Sequence, residues 1–198
     1  MTKLPASTDN PSAMFFLKQY LRKPFGTGSI TPSSKKLGQV IVSHLDLKPH
    51  EFVVELGPGT GVFTRELLAK GVAPDKLILV EFNADFASYL RKEFPAVRVV
   101  EGDAGNLPQV LQSIGYSKVH RIVSGIPLRS LKPLQRKQIT EAIAQSLEVG
   151  GVAVQFSYLK NSPFPLKVAS ECGLQGKRVG MALGNVPPAF VWKYIKLP

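Results

Sequence analysis

The stretch Val53-Val54-Glu55-Leu56-Gly57-Pro58-Gly59-Thr60-Gly61 constrains this chain more than any other. An apolar run of strand character meets a carboxylate and then three glycines at alternate positions, so the main chain there must come close to something. A strand that enters a glycine turn and leaves as a helix offers free backbone N–H groups, and without Cβ atoms a ligand can touch them. Two common ligand classes fit poorly. The dinucleotide fingerprint wants its third glycine where Val62 stands, and a phosphate-binding loop would close on Gly-Lys-Ser/Thr, which Gly61-Val62-Phe63 does not supply.

From Glu51 onward, strand-like and helix-like patterns alternate, the signature of a parallel sheet covered by helices. Strands are expected over Phe52 to Leu56, Leu77 to Glu81, Val97 to Val100, Arg121 to Ser124 and Gly151 to Ser157, rich in Val, Ile and Leu as doubly covered strands are. Helices are expected over Val62 to Lys70, Asn83 to Glu93, Leu107 to Ile114 and Pro133 to Leu147. Beyond Ser157 the rhythm changes. Lys177 to Leu183 and Phe190 to Lys196 are strand-like runs joined by a short Gly- and Pro-containing connection, which suits an antiparallel pair closing the sheet.

Two helices are expected ahead of this unit. One begins at Thr31-Pro32-Ser33-Ser34, a hydroxyl cap with proline in the first turn, and continues through Leu37, Val40, Ile41 and Leu45. The other, Ser12 to Lys23, places Met14, Phe16, Leu17, Tyr20 and Leu21 on one half of the wheel and Lys18, Gln19, Arg22 and Lys23 on the other, with Phe15 among the cations. That pattern fits a segment lying in a membrane interface, and equally a terminal helix docked on the core with a solvated basic face. The formal charge of +11 draws the chain toward polyanions, nucleic acid or anionic lipid. It is clustered: Lys18, Arg22, Lys23, Lys35 and Lys36 form one group without an acid, and Lys118, Arg121, Arg129, Lys132, Arg136 and Lys137 another. No run approaches the ~18 apolar residues of a membrane span, no secretion signal is evident, and the protein is expected in the cytoplasm. Cys172 has no disulfide partner, and it shows no metal-ligand spacing with His44, His50 or His120.

Two further acids stand at expected strand ends. Glu81 closes the second strand twenty residues beyond Gly61, where a carboxylate can accept both hydroxyls of an adenosine ribose, and Asp103 follows the third strand in Glu101-Gly102-Asp103-Ala104. The series Glu55-Leu56-Gly57-Pro58-Gly59-Thr60-Gly61, Glu81 and Gly102-Asp103-Ala104 resembles the nucleotide-binding series of class I S-adenosylmethionine-dependent methyltransferases, over Glu51 to Pro198. The resemblance implies an α/β Rossmann-like fold with a seven-stranded, mostly parallel sheet and a reversed C-terminal hairpin. It implies that Gly57, Gly59 and Gly61 approach the amino acid portion of S-adenosylmethionine, that Glu55 helps hold that end, that Glu81 takes the ribose, and that Asp103 with Ala104 meets the adenine.

The methyl acceptor is set by Ser124-Gly125-Ile126-Pro127-Leu128. Enzymes that methylate planar amino groups carry Asn or Asp, then Pro, then an aromatic in this place. Ser124 replaces the amide and Leu128 the aromatic, and the chain stops just after its last strand, without the helical tail of ribosomal RNA adenine dimethyltransferases. With the basic amphipathic start, Gly26-Thr27-Gly28-Ser29-Ile30-Thr31-Pro32 and Val186-Pro187-Pro188-Ala189-Phe190-Val191-Trp192, the chain resembles bacterial phospholipid N-methyltransferases. That resemblance implies methylation of phosphatidylethanolamine toward phosphatidylcholine, peripheral attachment to anionic lipids on the inner membrane face, and no nucleic-acid or protein partner. It divides the chain into a membrane-binding helix and lid loop over residues 1–32 and a methyltransferase domain over 33–198. Tyr20 is the candidate for closing over the amine. Gly28, Ser29, Thr31 and Ser124 are candidate cofactor contacts, and Arg129 and Lys132 candidate phosphate partners. An RNA adenine methyltransferase and a non-catalytic membrane-binding module remain the alternatives.

Overall fold

In the computed structural model, which describes residues 35–183 and 187–198, the chain alternates strand and helix as far as β5 and then turns back on itself. The strands are β1 (Val53–Leu56), β2 (Leu77–Glu81), β3 (Arg98–Glu101), β4 (Val119–Ser124), β5 (Leu147–Ser157), β6 (Leu174–Ala182) and β7 (Ala189–Lys196). The helices are α1 (Lys35–Ser43), α2 (Val62–Ala69), α3 (Ala84–Glu93), α4 (Leu107–Ser113), α5 (Pro133–Ser146) and α6 (Leu166–Glu171). They build one seven-stranded sheet in the order β3-β2-β1-β4-β5-β7-β6. β1 to β5 are parallel, and β7 runs antiparallel to both β5 and β6. This is the Rossmann-like class I methyltransferase architecture.

The central strands β1, β2 and β4 are buried on both sides because their successive residues feed opposite cores. Val53, Leu77, Leu79, Val123, Val152 and Val154 pack with Leu37 and Ile41 of α1, Leu45 just beyond it, Phe63 and Leu67 of α2 and Leu90 of α3. Val54, Leu56, Ile78, Val80, Ile122 and Ala153 pack with Leu107 and Leu111 of α4, Ile139 and Ile143 of α5 and Ala169 of α6. That alternation fixes where the acids go. Glu55 and Glu81 share the face of Val53 and Leu77, so both project toward the side covered by α1 to α3.

The strand order reverses between β1 and β4, and the crevice outside the carboxyl ends at such a point is where open α/β sheets bind ligands. Backbone hydrogen bonds lace the crossovers together along that edge: Gly57 N–H to the Val80 carbonyl at 2.9 Å, Gly102 N–H to that of Glu81 at 3.0 Å, and Gly125 N–H to that of Leu56 at 2.8 Å.

The expected elements recur with ends moved by a few residues. β5 and β6 each begin earlier than expected, at Leu147 and Leu174. Helix α6 has no counterpart in the sequence reading, because six residues with only Ala169 buried give no periodic apolar signal. Arg121 departs from its expected place in a basic face. It is buried, and its Nη2 lies 2.8 Å from Glu51 Oε2 and donates to the Asp46 carbonyl at 3.0 Å. It therefore contributes no surface charge and ties β4 to the segment that precedes β1. The expected helix over Ser12 to Lys23, the Thr31-Pro32-Ser33-Ser34 cap, and Tyr20, Gly28, Ser29 and Thr31 lie outside the described residues.

Candidate functional site

The glycine turn occupies the centre of the crevice. Gly57, Gly59 and Gly61 all adopt left-handed backbone, with φ of 63°, 56° and 77°. At Gly61 a Cβ would stand 2.5 Å from the Phe94 ring, so both conformation and space select glycine. The turn delivers the chain into α2, whose Thr64 Oγ1 donates to Glu55 Oε2 at 2.7 Å. Glu55 is wholly buried, and its other oxygen, Oε1, has no partner among the described residues. Burial pushes its carboxyl up to about 8, against the Thr64 hydrogen bond, and the nearby Glu81 raises it further. A buried oxygen without a donor is a ligand-shaped gap.

Glu81 is held from two directions. Its Oε2 accepts the Gly59 N–H at 3.2 Å and its Oε1 the Asn83 N–H at 2.9 Å. Burial raises its pKa, and the backbone donors of Asn83 and Gly59 pull the other way. Each carboxylate oxygen keeps a second lone pair for another donor. Phe82, the next residue, stands 45% exposed, an apolar ring beside the acid. Asp103 caps the short turn that follows β3, its Oδ1 accepting the Gly105 N–H at 2.8 Å while the residue stays exposed. Ala104 beside it is buried. Glu55, Gly57, Gly59, Gly61, Glu81, Asp103 and Ala104 thus follow the carboxyl ends of three adjacent strands.

Ser124 closes β4 on the other side of β1. It is buried, and its Oγ accepts the Ile126 N–H at 3.3 Å, which turns the chain. Gly125 packs bare backbone on bare backbone: a Cβ there would come within 2.7 Å of the Gly57 carbonyl oxygen. Pro127, at φ −76° and ψ 69°, is the centre of an inverse γ-turn in which Leu128 N–H reaches the Ile126 carbonyl at 2.8 Å. Gln155 Nε2 reaches the same carbonyl at 2.9 Å. Leu128 is 1% exposed and belongs to the core on the α4 to α6 side. Sequence reasoning misses Thr64, Phe82 and Gln155, and it names Gly125 in the acceptor stretch without its contact with Gly57. Thr64 and Gln155 are distant in sequence from the atoms they bond and carry no local pattern; Phe82 follows directly on Glu81, and an exposed aromatic there is a signal available in the sequence.

A family model described as ribosomal RNA adenine dimethylase matches residues 25–143. The chain belongs to that family. It is an S-adenosylmethionine-dependent methyltransferase. It is 33% identical over 146 residues to an ornithine lipid N-methyltransferase of Singulisphaera acidiphila, a match covering 72% of this chain and 76% of that one. It is also 33% identical over 185 residues to a ribosomal RNA small subunit methyltransferase A of Chlorobium chlorochromatii, covering 79% and 69%. The fold is shared with magnesium protoporphyrin IX methyltransferase from Synechocystis PCC 6803, at a TM-score of 0.69 and 12% identity, over 98% of this chain and all of that one. The crevice fits S-adenosylmethionine on its own chemistry: Glu55 Oε1 is an open acceptor for a cationic donor, Glu81 has free lone pairs for hydroxyls, and Gly57, Gly59 and Gly61 of the turn between them offer main chain without Cβ atoms. Among the described residues no helix is long and apolar enough to cross a membrane.

Proposed function

We propose that this methyltransferase acts on the amine of a membrane lipid, with phosphatidylethanolamine as the first substrate to try. The observation that carries the reading is the acceptor loop. A planar base needs a stacking ring and a free acceptor for its amino group. In the place of the ring Leu128 faces the core, and the Ile126 carbonyl already receives two N–H donors. The ornithine lipid N-methyltransferase relative, similar over three quarters of its length, supports a lipid amine. The family match and the Chlorobium relative, together with the +11 charge, support the second reading, an RNA adenine amino group.

In this reading the cofactor supplies a methyl group activated on a sulfonium, and the chain's own residues hold and orient it. Gly57, Gly59 and Gly61 let its amino acid portion rest on the main chain, with Glu55 Oε1 accepting from its ammonium. Glu81 takes the ribose hydroxyls, Phe82 and Ala104 flank the adenine, and Asp103 accepts from the adenine amino group. Ser124 orients the turn between cofactor and acceptor. Tyr20, read from the sequence as the residue facing the amine, and Gly28, Ser29 and Thr31, read as contacts of the cofactor carboxylate, lie outside the described residues and enter this reading on the sequence alone. An amine leaving water for that pocket sheds its proton because burial disfavours the charged form, which frees its lone pair for attack. Positioning then lowers the barrier by up to roughly 7–11 kcal/mol.

The test is to incubate the purified protein with isotopically labelled S-adenosylmethionine and vesicles of phosphatidylethanolamine, then extract the lipids for mass spectrometry. Mono-, di- or trimethylated headgroup carrying the label is the expected product. Unmodified lipid, with label recovered in ribosomal RNA in a parallel reaction, would establish the second reading instead.

A further inference from the structure

Behind the acceptor loop lies a wall of polar groups that the cofactor does not use. Gln155 of β5 is wholly buried opposite Trp192 of β7, and its amide is oriented by two carbonyls, Ile126 at 2.9 Å and Phe156 at 3.0 Å. Its Oε1, the Nε1 of Trp192 and the Nε of Arg136 are buried and without a partner among the described residues. Arg129, the residue directly after the γ-turn, donates to the Ser162 carbonyl at 3.5 Å, and the Ser162 hydroxyl lies 2.7 Å from that of Tyr194. These bonds join the loop after β4, the loop after β5 and strand β7 into one surface.

Arg136, on the first turns of α5, stands beside that surface. Desolvation holds its guanidinium below the ordinary range, the charge of Arg129 adds to the effect, and Tyr194 opposes it. Neither arginine has a carboxylate partner among the described residues, where the ion pairs belong to Arg65, His120, Arg121, Lys137, Lys167 and Lys193. A half-sunk guanidinium with an idle buried donor at Nε, in the field of a second guanidinium and with no carboxylate partner for either, is an arrangement that an anion stabilises.

We propose that Arg129 and Arg136 bind the anionic group that accompanies the amine on the acceptor, a lipid headgroup oxyanion. The inference rests on the lipid reading and sharpens it: the substrate is an amine with a phosphate diester or carboxylate a few bonds away. The planar forks of the two arginines match either group. Anchoring the oxyanion behind the γ-turn fixes how far the amine reaches toward the glycine crevice, so the pair sets specificity through position.

The test compares three amines in phosphatidylcholine vesicles: phosphatidylethanolamine, an N-acyl ornithine amphiphile, and stearylamine, which has no anion. In wild type, kcat/KM should favour one or both anion-bearing lipids over stearylamine. Arg129→Ala and Arg136→Ala should each lower that ratio about tenfold or more, chiefly through KM. Arg136→Lys should recover part of the loss, and whichever arm falls names the anion. Lys137→Ala, which removes the same charge from an exposed site paired with Glu141, should keep the wild-type ratio and so separates a specific site from bulk attraction to the vesicle. Arg129 is exposed, so its variant tests the site even if Arg136→Ala fails to fold. An active wild type whose ratio is unmoved by Arg129→Ala would overturn the anion site and leave the lipid reading standing. A wild type that labels RNA and no lipid would overturn both.

Discussion

At the scale of single residues, the two buried carboxylates carry the account and make it testable by titration. Glu55 has a folded pKa of about 8 against an ordinary 4.5, so between those values the native protein holds a proton that the unfolded chain releases. The stability from this group is complete below pH 4.5 and is lost as pH rises through about 8, at up to about 1.4 kcal/mol per unit. Urea titrations of wild type and Glu55→Gln should diverge in that window, the wild type losing stability relative to the variant as pH rises; parallel curves would show that Glu55 is not held protonated. A cationic ammonium at Oε1 favours the ionised form. Binding of S-adenosylhomocysteine should therefore release a proton and tighten toward pH 8 in wild type, and not in Glu55→Gln. Glu81 offers the complementary test by calorimetry. On the proposed reading, Glu81→Ala would remove charge-assisted hydrogen bonds to the ribose and should weaken that nucleotide about 10- to 100-fold.

At the scale of elements, the site is a contact between two turns, one after β1 and one after β4, and both depend on glycine. Gly61→Ala places a Cβ in left-handed backbone at 2.5 Å from the Phe94 ring and should destabilise by at least about 1–2 kcal/mol, read as a lower urea midpoint. Gly125→Ala has ordinary backbone to work with but meets the Gly57 carbonyl oxygen, which has no rotamer to escape by. That overpacking should cost about 1–3 kcal/mol and weaken S-adenosylhomocysteine, because the glycine turn must move to admit it. An unchanged affinity in Gly125→Ala would separate the two turns functionally. This coupling explains why a loop that sets the acceptor also carries a residue, Gly125, that shapes the cofactor crevice.

At the scale of the whole molecule, one buried ion pair links the sheet to the segment entering it. Arg121 of β4 reaches Glu51 and the Asp46 carbonyl, and Asp46 also pairs with Lys193 of β7. Arg121→Met leaves the largely buried Glu51 carboxylate without its partner and should lower stability by about 3–5 kcal/mol in urea, whereas a surface pair such as Lys137–Glu141 should contribute under about 1 kcal/mol. The sequence made the parallel sheet and its hairpin legible because doubly covered strands write their burial as continuous Val, Ile and Leu. It also made the glycine turn, Glu81 and Asp103 legible, since each stands at the end of such a run. Arg121 was illegible for the opposite reason: a cation in a basic stretch looks solvated until the fold brings Glu51 to it. Gln155 matters through the Ile126 carbonyl in the loop after β4, and Arg136 through an Nε left without a partner among the described residues, which no local pattern records.

The proposed acceptor of the methyl group is a lipid amine. The most direct measurement is a single reaction holding labelled S-adenosylmethionine, the protein, phosphatidylethanolamine vesicles and ribosomal RNA together, followed by phase separation and counting. Label is expected in the organic phase, rising with vesicle concentration and indifferent to added RNA. Label confined to the aqueous nucleic acid would contradict it.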